Sequence, residues 1–568
     1  MRKVLIKLCL LLVIVAAQSG AEEGKTSYLP PYVPQTVLSP SVEAFMNGSA
    51  NTQDVMVRKT YNYDALGRIL PANKNKLGSI AIPYNEKMKV VVVYLDIPEY
   101  EGEDVNGEYI NEGGNRIYKL NGEDVSEKEY FKSIERKRSD DLIGYTAEMT
   151  AKELRNLVST STRPLYIDEY VPAQDAATYS SILDTSLVTG WAHSNGYKGN
   201  GIGVMFAEGG CPKTSLINTS NFTQNSGCNQ GITWHATATT RVFQTTAPES
   251  KLFEYNVGYY PSPTSTTPSL EVAFFPISTY NDSSYKAIDA AMDNYTYTHG
   301  VIAVTAAGNK SSSTGTFHVS SPGKSVNAIT VGGVYPFSNL YESFSRWKNS
   351  EVQNQKPEVA NYDAFHFPND PSFTDDNGVT YNGFIGGTSA AAAYTAGMLA
   401  DVLQQHPFFE GHPEMAKALL ITGSTKTIPN ASSHDQDNNS LAAEAMPLYR
   451  SIGWNTRSRY WSSSNSGSFV NDTITFTESN ITSGKRYRIA ISWLTPGAYV
   501  QQNKTLSQDI DLYVMQNGNT IACSTSGNNP FEAVDFTTSS ASDLTIIIKR
   551  YANSGSGKVA LGYNLWHE

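Results

Sequence analysis

Gly386-Gly387-Thr388-Ser389-Ala390-Ala391-Ala392-Ala393 is the most telling stretch of this chain. Two glycines make a turn, and the alanine-rich run that continues through Gly397 to Leu403 predicts a helix, so Ser389 stands at a helix N-terminus. There a hydroxyl is exposed, and unpaired backbone N–H groups at the positive end of the helix dipole stabilise developing negative charge. Such a serine is a plain N-cap or a nucleophile, and three other blocks bear on the choice. His235, in Trp234-His235-Ala236-Thr237-Ala238-Thr239, precedes a second small-residue helical stretch. Asn309 closes Thr305-Ala306-Ala307-Gly308-Asn309 at the end of a buried strand, where its amide can donate to an oxyanion. Glu208 follows the apolar strand Val204-Met205-Phe206-Ala207, so its carboxylate emerges at the carboxyl edge of a sheet, where open α/β folds build their sites. Taken singly, a structural histidine, a turn asparagine and a solvated glutamate explain these three as well.

Around these blocks, residues 178–449 alternate strands with helical patterns, which predicts an α/β fold, a parallel sheet with helices on both faces. Residues 456–568 carry short alternating strands separated by Gly, Asn and Ser turns, the pattern of a β-sandwich. Upstream, the run Lys89-Val90-Val91-Val92-Val93-Tyr94-Leu95 and the strand Leu165-Tyr166-Ile167-Asp168 flank a helix opened by a capping box, Thr150 with Glu153. They define a small α+β unit over residues 87–172. Residues 22–86 read as an N-terminal extension, and residues 1–21 as an export signal: Arg2, Lys3 and Lys7, then an apolar stretch from Leu8 to Ala17, then small residues. That apolar stretch is shorter than the roughly 20 residues a bilayer span needs, and no other segment is long enough. The expected location is secreted or extracytoplasmic. At 568 residues, with 40% hydrophobic residues, the chain builds several cores; with 43 basic against 54 acidic side chains and no basic run, it is not a nucleic-acid partner.

In an oxidising compartment, Cys211 and Cys228, within one Gly/Asn/Thr-rich loop, are the expected disulfide. Free thiols are the alternative, and zinc ligation lacks a second ligand pair. With Cys9 leaving in the signal, Cys523 is left without an internal partner. Asp509 and Asp511 are candidate ligands for a structural calcium ion, the alternative being a solvent-facing pair. Sequons begin at Asn218, Asn221, Asn294, Asn471, Asn480 and Asn503. The run Phe274-Phe275-Pro276-Ile277-Ser278 is the expected cleft wall.

In their order of acid, His, Asn and Ser, the four blocks resemble the subtilisin-like serine proteases (subtilases). The likeness extends to Thr246-Ala247-Pro248-Glu249, to Ser321-Pro322-Gly323-Lys324, to Lys356-Pro357-Glu358-Val359-Ala360 and to Met415-Ala416-Lys417-Ala418-Leu419-Leu420, and covers residues 187–445. It implies a serine endopeptidase that hydrolyses polypeptide substrates through an acyl-enzyme and needs no cofactor for its chemistry. Ser389 would be the nucleophile, His235 the base, Glu208 the acid of the triad and Asn309 the oxyanion donor. The 87–172 unit is similar to the propeptide that chaperones and inhibits many of these enzymes, and processing is expected between Tyr170 and Tyr179. Three positions depart from the family: Glu208 replaces Asp, Ala236 replaces Gly and Ala393 replaces Pro. Glutamate in the acid position also brings the sedolisins into view, but Asn309 stands where they place Asp. An inactive relative that binds peptides in the same cleft is the reading from another functional class.

Overall fold

The computed structural model describes residues 27–28, 36–48, 87–95, 105–112, 115–134, 143–169, 174–175, 192–225, 227–228, 230–261, 270–310, 318–334, 344–347, 350–423, 456–463, 469–553 and 559–568. The export signal expected at 1–21 lies outside them.

At the centre is a seven-stranded, wholly parallel sheet. Its order is Phe222–Gln224, Lys251–Asn256, Gly203–Glu208, Leu270–Phe275, Ile302–Ala306, Ile329–Val334 and Val359–Tyr362. The inner strands Gly203–Glu208, Leu270–Phe275, Ile302–Ala306 and Ile329–Val334 are largely apolar runs rather than alternations because both faces are covered, and successive side chains feed opposite cores. Val204 and Phe206 pack with the helices Trp234–Thr246 and Thr388–Gln405. Met205 and Ala207 pack with the helix Ala287–His299 on the other side. Phe274 and Phe275, expected in the cleft wall, are instead core residues; the Phe274 ring stacks on Phe206 and Phe243.

The helix Pro413–Gly423 fastens this domain to the next. Met415, Leu419 and Leu420 face the first core, while Ala418 and Ile421 pack on Ala490 and Phe531 of the C-terminal region. At Gly562 the backbones come so close that an added Cβ would lie 2.7 Å from Met415 Cα. The C-terminal region is the expected sandwich, with one sheet holding Phe531–Thr537, Arg486–Trp493, Val559–His567 and Thr456–Ser463 in order. The other is built on Leu544–Asn553, Gln508–Gln516 and Asn519–Ser524, with Thr473–Glu478 along Leu544–Asn553. Ile489, Ile491, Leu512, Val514, Ile546 and Leu561 fill the space between.

The upstream unit departs from its expected outline. Lys87–Tyr94 lies between Gly144–Thr150 and Leu165–Glu169, with the helices Pro40–Gly48 and Ala151–Thr160 against this sheet and the predicted capping box closed at Thr150 and Glu153. The opposite face, through Val91, Val93 and Tyr166, joins the core beneath Ala287–His299. The strands Val105–Glu112, Asn115–Leu120 and Glu123–Val125, however, leave this sheet and continue the first sandwich sheet beyond Thr456–Ser463. Asn294, a sequon asparagine, is fully buried where these parts meet: its Nδ2 donates to the Tyr94 carbonyl at 3.2 Å and its Oδ1 accepts from the Ala498 N–H at 3.0 Å. Asn218, Asn471 and Asn480 are exposed.

Three charges are buried together beside the sheet: Lys356 Nζ lies 2.7 Å and Lys417 Nζ 3.2 Å from Glu358 Oε1. Burial pulls the Lys417 ammonium down to about 8 against the attraction of Glu358. Removing the shared carboxylate leaves two interior cations unpaired, which costs more than the pairing itself contributes. Glu358→Gln is therefore expected to destabilise the chain by about 3–5 kcal/mol, read as a lower midpoint in denaturant; an unchanged midpoint would show that water reaches these lysines.

Candidate active site

Each site residue is set by the end of an element. Glu208 is the last residue of Gly203–Glu208, at the carboxyl edge of the sheet. His235 is in the first turn of Trp234–Thr246, whose N-cap Thr233 accepts from the Ala236 N–H at 3.2 Å. Ser389 is in the first turn of Thr388–Gln405, immediately after Gly387, whose φ of 106° only glycine adopts readily. The predicted helix and its start are thus as expected.

The structure brings Glu208, His235 and Ser389 together. Glu208 Oε1 lies 2.7 Å from His235 Nδ1, and His235 Nε2 lies 3.0 Å from Ser389 Oγ. Relative exposures are 2% for Glu208 and 0% for His235 and Ser389, so water weakens neither contact. An ionised carboxylate can only accept, so Nδ1 carries a hydrogen and Nε2 of the neutral ring faces serine as an acceptor. The Ser389 hydroxyl also donates to the Pro276 carbonyl. One hydroxyl hydrogen therefore serves two acceptors, and whatever displaces the Pro276 contact directs it to His235.

Asn309 is coupled to the serine helix through its neighbour. Its Oδ1 accepts from the Thr388 N–H at 3.2 Å and from Thr388 Oγ1 at 3.0 Å, and Thr388 Oγ1 accepts in turn from the Gly308 N–H at 3.1 Å. Because a backbone N–H can only donate, the amide atom facing Thr388 is the oxygen, and Nδ2 points to the other side. The sequence pattern does not single out Thr388, although its hydroxyl stands beside Ser389. Nor does it single out Thr239, one turn beyond His235, whose hydroxyl donates to the His235 carbonyl at 2.9 Å and lies 3.3 Å from Glu208 Oε1.

A hairpin of Phe373–Thr374 with Thr380–Tyr381 braces the histidine helix. Asp375 Oδ2 accepts from the Trp234 N–H at 3.0 Å and Asp376 Oδ2 from the Ile232 N–H at 2.7 Å, which places acids at the positive helix end. Nothing in the local pattern singles out these aspartates, since their partners lie far away in sequence. Ala236 and Ala393, the two family departures besides Glu208, are buried in unbroken helices.

A short strand, Gln174–Asp175, runs antiparallel to Ile277–Ser278, next to Pro276. Cys211 and Cys228 form the expected disulfide. Cys523, expected to lack an internal partner, is disulfide-bonded too.

Among the described residues no group of three or more His, Cys, Asp or Glu side chains is placed to hold a metal ion. Asp509 and Asp511 sit on Gln508–Gln516, and burial, followed by the charge of Asp511, pushes the Asp509 carboxyl up from 3.8 to about 6. Between those values the folded chain binds more protons than the unfolded one, so stability present at low pH is lost as pH rises through about 6. Amides of Gln508–Gln516 are accordingly expected to exchange more slowly at pH 5 than at pH 7 after correction for intrinsic rates, with a smaller difference in Asp509→Asn. An undiminished difference in that variant would assign the effect elsewhere.

Residues 187–442 match the Subtilase family. No curated protein matches the chain. Among solved structures, it is similar to a cold adapted subtilisin-like serine proteinase at 15% identity and a TM-score of 0.32, covering 44% of this chain and 88% of that one. It is similar also to fervidolysin from Fervidobacterium pennivorans, a keratinolytic enzyme related to subtilisin, at 12% identity and a TM-score of 0.39, covering 90% of this chain and 74% of that one. A third is the serine protease of Aeromonas sobria, at 11% identity and a TM-score of 0.36, covering 66% of this chain and 90% of that one.

Proposed function

Residues 187–442 belong to the subtilase family, and from that premise we propose that the chain is an exported serine endopeptidase using Ser389, His235, Glu208 and Asn309. The observation that carries this reading is the continuous buried chain of contacts, 2.7 Å from Glu208 to His235 and 3.0 Å from His235 to Ser389.

In the proposed reaction a substrate carbonyl takes the place beside Ser389, and the hydroxyl hydrogen passes to His235 Nε2 as Oγ attacks. Glu208 accepts from Nδ1–H, holds that tautomer and offsets the imidazolium charge; it stays ionised throughout. Charge on the tetrahedral oxygen is met by Asn309 Nδ2 and the Ser389 N–H, and Thr388 fixes the amide so that no reorientation is needed during reaction. His235 then gives the proton to the leaving amine, and water repeats the sequence on the acyl-enzyme. Glutamate does the work of aspartate here because it starts at a strand end and the histidine backbone is fixed by Thr233 and Asp375. No cofactor enters any step, and the substrates are polypeptides.

The unit at 87–172 acts in this reading as the chain's own inhibitor. Support comes from Gln174–Asp175, which lies on Ile277–Ser278 as a substrate strand would. Asp175, opposite Ile277, ends that pairing one residue short of Pro276, whose carbonyl accepts from Ser389, so the peptide bond after the next residue in sequence, Ala176, is the one expected to be cut. Export is supported by the signal-like start of the chain and by the Cys211–Cys228 bridge.

Purified parent protein should yield a new N-terminus at Ala177 and label at Ser389 with a serine-directed organophosphonate. Ser389→Ala should do neither. Glu208→Gln should lower kcat about 10⁴-fold with little change in KM, the size expected when the triad acid loses its charge, and Glu208→Asp should retain more activity than Glu208→Gln. Unlabelled, folded parent protein would favour an inactive peptide binder, and full activity in Glu208→Gln would remove Glu208 from the mechanism.

A further inference from the structure

The strands that leave the inhibitor-like unit make contacts of a kind a disposable segment does not need. Val105–Glu112 pairs antiparallel with Thr456–Ser463 over seven residue pairs, from Asn111 opposite Thr456 to Val105 opposite Ser462. Glu108 Oε1 lies 2.7 Å from Arg459 Nη2 across this seam. Gly107 is open enough for Tyr130 to cover the strand; a Cβ there would lie 2.8 Å from the Tyr130 hydroxyl.

Beyond the seam is an aromatic cluster shared with the family domain. Tyr109 is buried, its ring centroid 4.1 Å from that of Phe408 and its hydroxyl 3.2 Å from His406 Nδ1. Tyr118 and Tyr130 pack around it, and the desolvation of burial pushes the Tyr118 phenol up to about 12. The far end is tied as well, by His412 Nε2 to the Ile134 carbonyl at 2.9 Å. The other sandwich sheet also takes a strand from upstream: Ser27–Tyr28 pairs with Ala552 and Asn553.

We propose that residues 105–112 and 115–134 are a permanent part of the sandwich, so that cutting the chain after Ala176 leaves the N-terminal piece docked along Thr456–Ser463 rather than releasing it. The cleavage position rests on the reading above; the docking does not. Once its connection is cut, an inhibitor held only in the cleft leaves at the rate that this one contact sets. A piece with a second anchor is kept at high effective concentration near the cleft, and rebinding is intramolecular. Departure of the strand would also open a sheet edge seven residues long and uncover Phe408, an arrangement that invites aggregation. The mature protein is accordingly a two-chain assembly.

The test uses full-length Ser389→Ala carrying a recognition sequence for an added protease between Ala176 and Ala177, so that retention is measured whether or not the chain cuts itself. After nicking, both pieces should co-elute in native size exclusion, and amides of Thr456–Ser463 should keep their protection against hydrogen exchange. Separation of the pieces, or loss of that protection, overturns the proposal. Tyr109→Ala with Tyr130→Ala in the same background should release the N-terminal piece at least about 100-fold faster on dilution, by loss of two buried rings. Release at the original rate would mean that the inhibitor-like sheet alone holds the piece, and would overturn the proposal also. Should the double variant not fold, exchange at Thr456–Ser463 in the nicked single background still decides it.

Discussion

A carboxylate and an imidazole held 2.7 Å apart and shut off from water set the terms for the rest of this molecule. A buried charge is tolerated only when its partner is fixed, so the elements carrying Glu208 and His235 cannot shift independently. A parallel sheet meets that demand: Lys251–Asn256 pairs with Gly203–Glu208 out to Glu208 itself, and Leu270–Phe275 pairs with it as far as Phe206. The helix bearing His235 is capped by Thr233 and braced by Asp375, and the helix bearing Ser389 packs on it over the same core. The C-terminal sandwich extends this rigidity through Pro413–Gly423, the helix that follows the serine helix and has one face in each core.

The site was legible in the sequence because its geometry needs small residues at identifiable places. Gly387 is required by backbone conformation, the alanines after Ser389 by close helix packing, and Gly308 precedes Asn309 at a strand end. These constraints leave local marks. The supporting residues do not: Asp375 and Asp376 reach the histidine helix across some 140 positions, and their own surroundings read as an ordinary polar turn. The two phenylalanines before Pro276 misled for a related reason. A strand that leads to the site is still buried on both faces up to its last residues, so an aromatic run there belongs to the core.

The upstream unit shows the limit of period-based reading most clearly. Val105–Glu112 was recognisable only as part of an α+β stretch, and period cannot say which sheet a strand joins. Here the nearer sheet is already bordered by Gly144–Thr150, and the free partner edge is Thr456–Ser463, some 350 residues later. What selects it is a set of aromatic side chains: Tyr109 and Tyr130 fit against Phe408, and Tyr118 packs on both. Proximity in sequence is therefore no guide to the neighbour of these strands, whereas Lys87–Tyr94 and Leu165–Glu169, within the same unit, do pair.

Asn294 carries a consequence of a different kind. The sequence around it is an acceptor for N-linked sugar, yet both ends of its amide are spent inside the fold, one on Tyr94 and one on Ala498. A sugar on that nitrogen would need the space now filled by the upstream sheet and by the helix Gly497–Asn503. Modification and folding at this position exclude each other. In a cell that glycosylates nascent chains, the yield of working protein becomes a race, decided by whether Ala287–His299 is covered by its neighbours before the transferase arrives. The same coding sequence would then fare differently in hosts that differ only in how they decorate what they export.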